Sequence, residues 1–197
     1  MIWCWGPWSR ARHAEALRPR EPERPRPIDW QRERWVTYTL ADGSLSLEYP
    51  ARWSFTPLFD QRTEVPLDDL KVRVMCMGQF QPPRATLYVT RYECHPGLAP
   101  REWLRRVEHQ PALRSRLVGE LLERRETEVS NTHAVWLRTR SVPPNDGQFW
   151  EKRLLFFGDG EIAYEVAVTA PQSAIDPLVP GFERILASVQ FRPPGRE

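Results

Sequence analysis

Alternation of apolar and polar residues is the dominant pattern from Trp35 onward. Leu45, Leu47 and Tyr49 alternate with Ser46 and Glu48 up to Pro50, the period-two signature of a half-buried strand. Trp53, Phe55 and Pro57 extend this into a second short piece, and the polar run from Asp60 to Asp69 predicts a loop. Val72, Val74 and Cys76 form the next alternating strand, and Thr86 to Glu93 another, with Leu87, Val89 and Arg91 on one side and Tyr88, Thr90 and Tyr92 on the other. The Gln81-Pro82-Pro83-Arg84 stretch predicts a hairpin between them. Pro100 and Glu102 suit the first turn of a helix with Trp103, Leu104 and Val107 on its apolar side. Leu113, Leu117 and Leu121 recur every four residues and predict a second helical piece ending near Gly119. From Glu120 to Val129 helix and strand compete. Ala134–Arg140, Phe149–Phe157 and Ile162–Thr169 read as strands, the last two joined at Gly158-Asp159-Gly160, a hairpin signal. Asp176 is placed to cap a helix with Pro177 in its first turn, and Phe182, Ile185, Leu186 and Val189 give it a stripe that packs on a sheet. Val189–Phe191 predicts a last short strand. The expected class is α+β: an antiparallel β-sheet flanked by helices.

The first 34 residues follow another pattern. They carry eight Arg and five acids, a net charge of +3, while the other 163 residues net −1. From Arg18 to Pro27 proline alternates with charge, which favours an extended, semi-stiff spacer. Ahead of it stand Trp3, Trp5 and Trp8, unusual in a tail, since disordered tails are poor in aromatics. The expected organisation is an extended arm and linker over 1–34 and a single domain over 35–197. Trp30 and Trp35 bracket the junction and are placed to pin the arm to the domain.

Composition narrows the classes. The chain has 197 residues, 28 Lys+Arg and 26 Asp+Glu, so it lacks the positive excess of a nucleic-acid binder, and no nucleic-acid partner is expected. No apolar run approaches the roughly 20 residues that cross a bilayer. Met1–Trp5 is too short for the apolar stretch of an export signal, so a cytoplasmic location is expected, with a membrane surface reachable through the tryptophans of the arm. Twenty-six of the cations are Arg, a skew that a GC-rich genome or hot habitat explains without function.

Catalytic and metal chemistry find little footing. His13, His95, His109 and His133 are scattered, and Cys94 and His95 are neighbours whose side chains diverge on a strand. Asp60, Glu64, Asp68 and Asp69 make at most a weak hard-cation loop, without the glycine such sites use. Glu120, Glu123 and Glu126 read as a solvated face balanced by Arg116, Arg124 and Arg125. Gly158-Asp159-Gly160 lacks the Lys-Ser/Thr of a phosphate loop. No cofactor, metal or catalytic residue is therefore expected. Aromatic and Arg residues dominate protein interfaces, which makes Trp3, Trp5, Trp8, Arg10, Arg12 and Trp150 the candidate partner-binding residues. Either Trp150 or its neighbour Phe149 must face outward on a regular strand. The three tail tryptophans serve a partner, a membrane interface, or a plug over their own domain.

Leu47-Glu48-Tyr49-Pro50-Ala51-Arg52-Trp53 resembles the opening of PsbP-like proteins, where a strand runs into Tyr-Pro and then a Trp. Tyr164–Pro171, followed by Phe182-Glu183-Arg184-Ile185-Leu186-Ala187-Ser188-Val189-Gln190-Phe191, resembles the closing strand and helix of that superfamily. The resemblance covers roughly 40–192. The superfamily includes the extrinsic PsbP subunit of photosystem II, Ran-binding Mog-type proteins, DcrB-type lipoproteins and effector-associated chaperones of type VI secretion. It implies a shared scaffold, varied protein partners and no catalysis. The expected function is a non-enzymatic binding or assembly subunit that docks on a larger complex through its arm and sheet; the alternative is a chaperone or adaptor that shields apolar segments of a client. The chain departs from the exported branches by lacking a signal, and from the compact chaperones by its arm. No functional residue of the superfamily has a matching position here.

Overall fold

The computed structural model describes residues 28–57, 62–67, 70–81, 85–94, 100–109, 119–142, 148–159 and 162–192. Eight strands form one antiparallel sheet: β3 (Ser54–Pro57), β4 (Arg62–Leu67), β5 (Leu70–Gln81), β6 (Thr86–Cys94), β7 (Glu120–Val129), β8 (Thr132–Ser141), β9 (Trp150–Asp159) and β10 (Ile162–Pro171). Their order is β3-β5-β6-β10-β9-β8-β7, with β4 paired to the first half of β5. Strands β1 (Trp35–Thr39), β2 (Leu45–Pro50) and β11 (Gln190–Phe191) make a second, three-stranded sheet. The helices are α1 (Pro100–His109), the single turn α2 (Gln172–Ile175), a 3₁₀ turn over Asp176–Leu178, and α3 (Val179–Ser188).

The central strands explain this architecture. In register, Leu87, Val89, Ala134, Trp136, Leu155, Phe157, Tyr164, Val166 and Val168 share one face of the large sheet. That face packs against Leu45, Leu47 and Phe191 of the small sheet and Phe182, Ile185 and Leu186 of α3 to form the main core. The opposite face carries Tyr92, Val135, Leu137, Leu154, Phe156, Ala163 and Ala167, all buried, and α1 lies over β8 and β9 with Leu104 buried. Short apolar runs such as Ala134-Val135-Trp136-Leu137 are strands buried on both sides.

Several expectations change. The stretch from Asp60 to Asp69 contains a strand, β4, because Arg62–Leu67 alternates against Val72 and Val74 and hairpins onto β5; of the proposed cation group, Glu64 lies in β4 opposite Arg73, and Asp60, Asp68 and Asp69 lie outside the described residues. Glu120–Val129 resolves as strand, and this takes Leu121 out of the predicted helix, whose other part lies outside the described residues. The expected last strand forms as β11 and pairs with β2 in the small sheet, which adds a second layer beside the large one. Asp176 does not cap α3. It opens the 3₁₀ turn with Pro177 behind it, and α3 begins after Leu178 without a side-chain cap. The β7–β8 turn is Ser130-Asn131, both at positive φ (49° and 62°), the twist a two-residue hairpin needs. Ser130 also accepts the Phe191 N–H (3.0 Å), tying this hairpin to β11.

A polar chain that runs from a buried hydroxyl pair out to the surface fastens the β1–β2 turn to the large sheet. Ser44 Oγ donates to Asp42 (2.6 Å), so its proton is used and the Tyr164 hydroxyl donates to Ser44 Oγ (2.6 Å). Arg91 of β6 completes it with an ion pair to Asp42 (2.9 Å). Ser44→Ala strands the buried Tyr164 hydroxyl and should lower stability by about 1–3 kcal/mol. In urea titrations, adding Tyr164→Phe to Ser44→Ala should cost less than Tyr164→Phe alone, since the orphaned donor goes with it.

Candidate functional site

The described surface departs from ordinary composition at one corner of the large sheet. Gly119 (φ +29°) leads into β7 so close to the Arg140 carbonyl that a Cβ there would collide with it. This brings the start of β7 against the end of β8. A bulge between Leu121 and Glu123 then inserts Leu122, and the two leucines stay 43% and 37% exposed. Val142 at the end of β8 is 51% exposed and Phe149, just before β9, 50%. These four are the exposed large apolar residues among those described. Trp150 sits at the same corner, half-buried, opposite Ser141 and Pro171. Of the Phe149–Trp150 pair, Phe149 is therefore the ring that faces out.

Charged side chains stand beside and beneath this corner. Arg140 lies 4.8 Å from the Phe149 ring centroid and donates twice to Glu120 (2.7 and 3.0 Å). Deeper in, Glu151 is 1% exposed and accepts from Arg138 (2.8 Å) and Arg153 (2.6 Å). Burial alone would raise the Glu151 carboxyl, but the hydrogen bonds and charges of the two arginines more than offset it and hold it below the usual carboxylate range. Asp42 is likewise depressed: burial opposes ionisation, and Ser44 and Arg91 override it.

A groove of about 310 Å³ lies further along β7, between that strand and α3. Trp136 and Leu155 line it from the sheet, Glu183, Leu186 and Ala187 from α3, and residues 125–129 from β7. Arg125 lies over the Trp136 ring (4.6 Å) and is held by Glu123 (2.6 Å). Beneath the opposite face Lys152 pairs with the buried Glu165 (2.5 Å), which also accepts from Tyr92 (2.7 Å). That ion pair binds β9 to β10 and β6 under α1. Among the described residues no three His, Cys, Asp or Glu side chains gather as a metal site, and no helix is long and apolar enough to cross a membrane.

Compared with protein-family models and with curated proteins, the sequence matches none. Solved structures do resemble it. Cyanobacterial PsbP (CyanoP) from Synechocystis sp. PCC 6803 superposes with a TM-score of 0.53 at 13% identity, over 80% of this chain and 92% of that one. The chain has a PsbP-like fold. A protein from Bacteroides thetaiotaomicron VPI-5482 gives a TM-score of 0.51 at 12% identity over 82% of this chain, which spans half of that protein's length. Within the PsbP-like body, the candidate residue Trp150 stands at the apolar corner. Trp3, Trp5, Trp8, Arg10 and Arg12 lie outside the described residues. Leu121, Leu122 and Val142 were missed; the signal for the leucines is the adjacent Leu-Leu pair, which interrupts alternation where the bulge falls, and Val142 carries none.

Depressed carboxyls fix the sign of the acid response. Asp42 and Glu151 contribute stability above the unfolded carboxylate pKa of about 4, lost as pH falls through their lower folded values. The melting temperature should therefore drop steeply below about pH 4. Glu151→Gln should be less stable by about 1.5–3 kcal/mol at pH 7 and show a shallower acid slope.

Proposed function

We propose that this protein is a non-enzymatic binding or assembly subunit that docks on a larger protein through the β7–β8–β9 corner, aided by its Trp/Arg-rich N-terminal arm. The exposed residues Leu121, Leu122, Val142 and Phe149, all at the ends or bulge of β7, β8 and β9 near half-buried Trp150, carry the reading, since large apolar side chains left exposed at one sheet corner suit a docking partner. Arg140 beside Phe149 supplies the second residue type that interfaces favour. A partner suited to this corner offers apolar side chains with acidic groups at their margin. The PsbP-like fold supports the reading only as a scaffold, since fold alone does not specify function. The arm contributes Trp3, Trp5, Trp8, Arg10 and Arg12, joined to the body by the proline-rich stretch.

The test is affinity capture followed by identification of the protein recovered, comparing the full chain with a Leu122→Asp/Phe149→Asp variant. Both positions are exposed, so the melting temperature should hold, the cost of such changes being within about 0.5 kcal/mol each. Loss of a central apolar contact should weaken capture of that protein by about 30-fold or more. Equal recovery by both forms contradicts the docking role of the corner. Recovery of unfolded clients in place of one folded partner would instead favour the chaperone alternative.

A further inference from the structure

The groove between β7 and α3 has features that the corner does not use. Its floor is apolar, and the indole N–H of Trp136 is buried without an acceptor among the described residues. Its outer wall is β7, the last strand of the described sheet, so alternate residues of 124–129 turn their backbone N–H and C=O groups away from β8, beyond the bulge. Such an edge accepts an added strand. Glu183 on the α3 wall and Glu128 on β7 are exposed acids with no ion-pair partner among the described residues.

The arm is tethered on the same helix. Trp30 lies against Gly181, where no Cβ would fit, and its indole N–H donates to the Pro177 carbonyl (3.0 Å). Gly181 and Ala187 are six residues apart, about 9 Å along the axis, so α3 carries the anchor at one end and the groove at the other. As polyproline II the Arg18–Pro27 stretch would span about 31 Å, and residues 9–17 extended would cover about 30 Å, enough to fold back across the helix. A tether of this length holds its free end at an effective concentration on the order of millimolar.

The chemistry of the arm matches this site. In an extended Ile2–Gly6 segment, Trp3 and Trp5 fall on the same side, and Pro7 lacks the donor to continue pairing. Arg10 and Arg12 follow, with no acid among the first twelve residues, a charge complementary to Glu183 and Glu128, which have no ion-pair partner among the described residues. We propose that in the free protein the N-terminal segment Ile2–Trp8 of the same chain docks in this groove as a strand added to β7, with Trp3 and Trp5 turned toward Trp136, Leu155 and Leu186. A partner that takes hold of the arm would first have to remove it. This inference stands independently of the corner.

Hydrogen exchange on the full-length chain alone tests it, at several protein concentrations, against Trp3→Ala/Trp5→Ala and against Ala187→Phe, which fills the groove from an exposed helix position. The amides of residues 124–129 that face away from β8 should exchange about tenfold slower in the wild type than in either variant, independent of protein concentration. Higher salt should narrow the difference. Equal exchange in the wild type and Trp3→Ala/Trp5→Ala overturns the proposal. So does protection that the double substitution removes from another surface. Protection that grows with concentration assigns the arm to a second copy and overturns docking within one chain.

Discussion

Strands β8, β9 and β10 are apolar on both faces, and that double burial dictates the rest of the structure. A sheet with one wet face needs a single cover; this one needs two. The small sheet and α3 close one side and α1 closes the other. The second sheet is thus a cover made from both flanks of the large sheet in sequence: β1 and β2 precede it, and β11 returns from α3 to pair with β2. The Tyr164–Ser44–Asp42–Arg91 chain ties its first turn to β6 and β10.

Two covers leave little room for charge, so the charges that remain inside are matched. Glu151 is held between two arginines and Glu165 between Lys152 and Tyr92. Lys152 is stabilised in its charged form: burial opposes this, and Glu165 with Tyr88 more than compensates. That contribution lasts up to the unfolded lysine pKa and fades only as alkaline pH passes the higher folded value. The buried ion pairs therefore support the fold throughout the neutral range. The covers also stop short of β7, exposed along nearly its whole length. Ion pairs two residues apart, Arg124–Glu126 and Arg125–Glu123, neutralise charge along this edge, as the charge pattern of that stretch implied. The functional proposals arise at that uncovered margin.

Much of the fold was legible because alternation reports burial directly. The Leu45–Pro50 strand, the β5–β6 and β9–β10 hairpins and the Phe182–Leu186 stripe all follow from local periodicity, and Trp30 packs as its position at the arm junction implied. Where periodicity failed, another force had overridden it. Arg62–Leu67 is rich in polar and proline positions, and it becomes a strand because long β5 offers a partner. Leu121 fits a helical spacing, yet Gly119 and the bulge place it on a sheet edge. Asp176 has the residue type of a cap, but α2 and the 3₁₀ turn precede α3 without a break. The corner was half legible: aromatic neighbours flagged Trp150 and Phe149, while Leu122 and Val142 gained meaning only when three strand ends met.

The large sheet needs both covers, and α1 is the thinner of the two. Leu104 is its described buried apolar side chain, over a face whose other residues are satisfied only if that cover is in place. The urea midpoint of Leu104→Ala measures the point directly. With two obligatory covers the substitution should cost about 2–5 kcal/mol, the range for emptying a packed core position. A loss below about 0.5 kcal/mol, the scale of a surface change, would mean that this face of the sheet does not depend on α1.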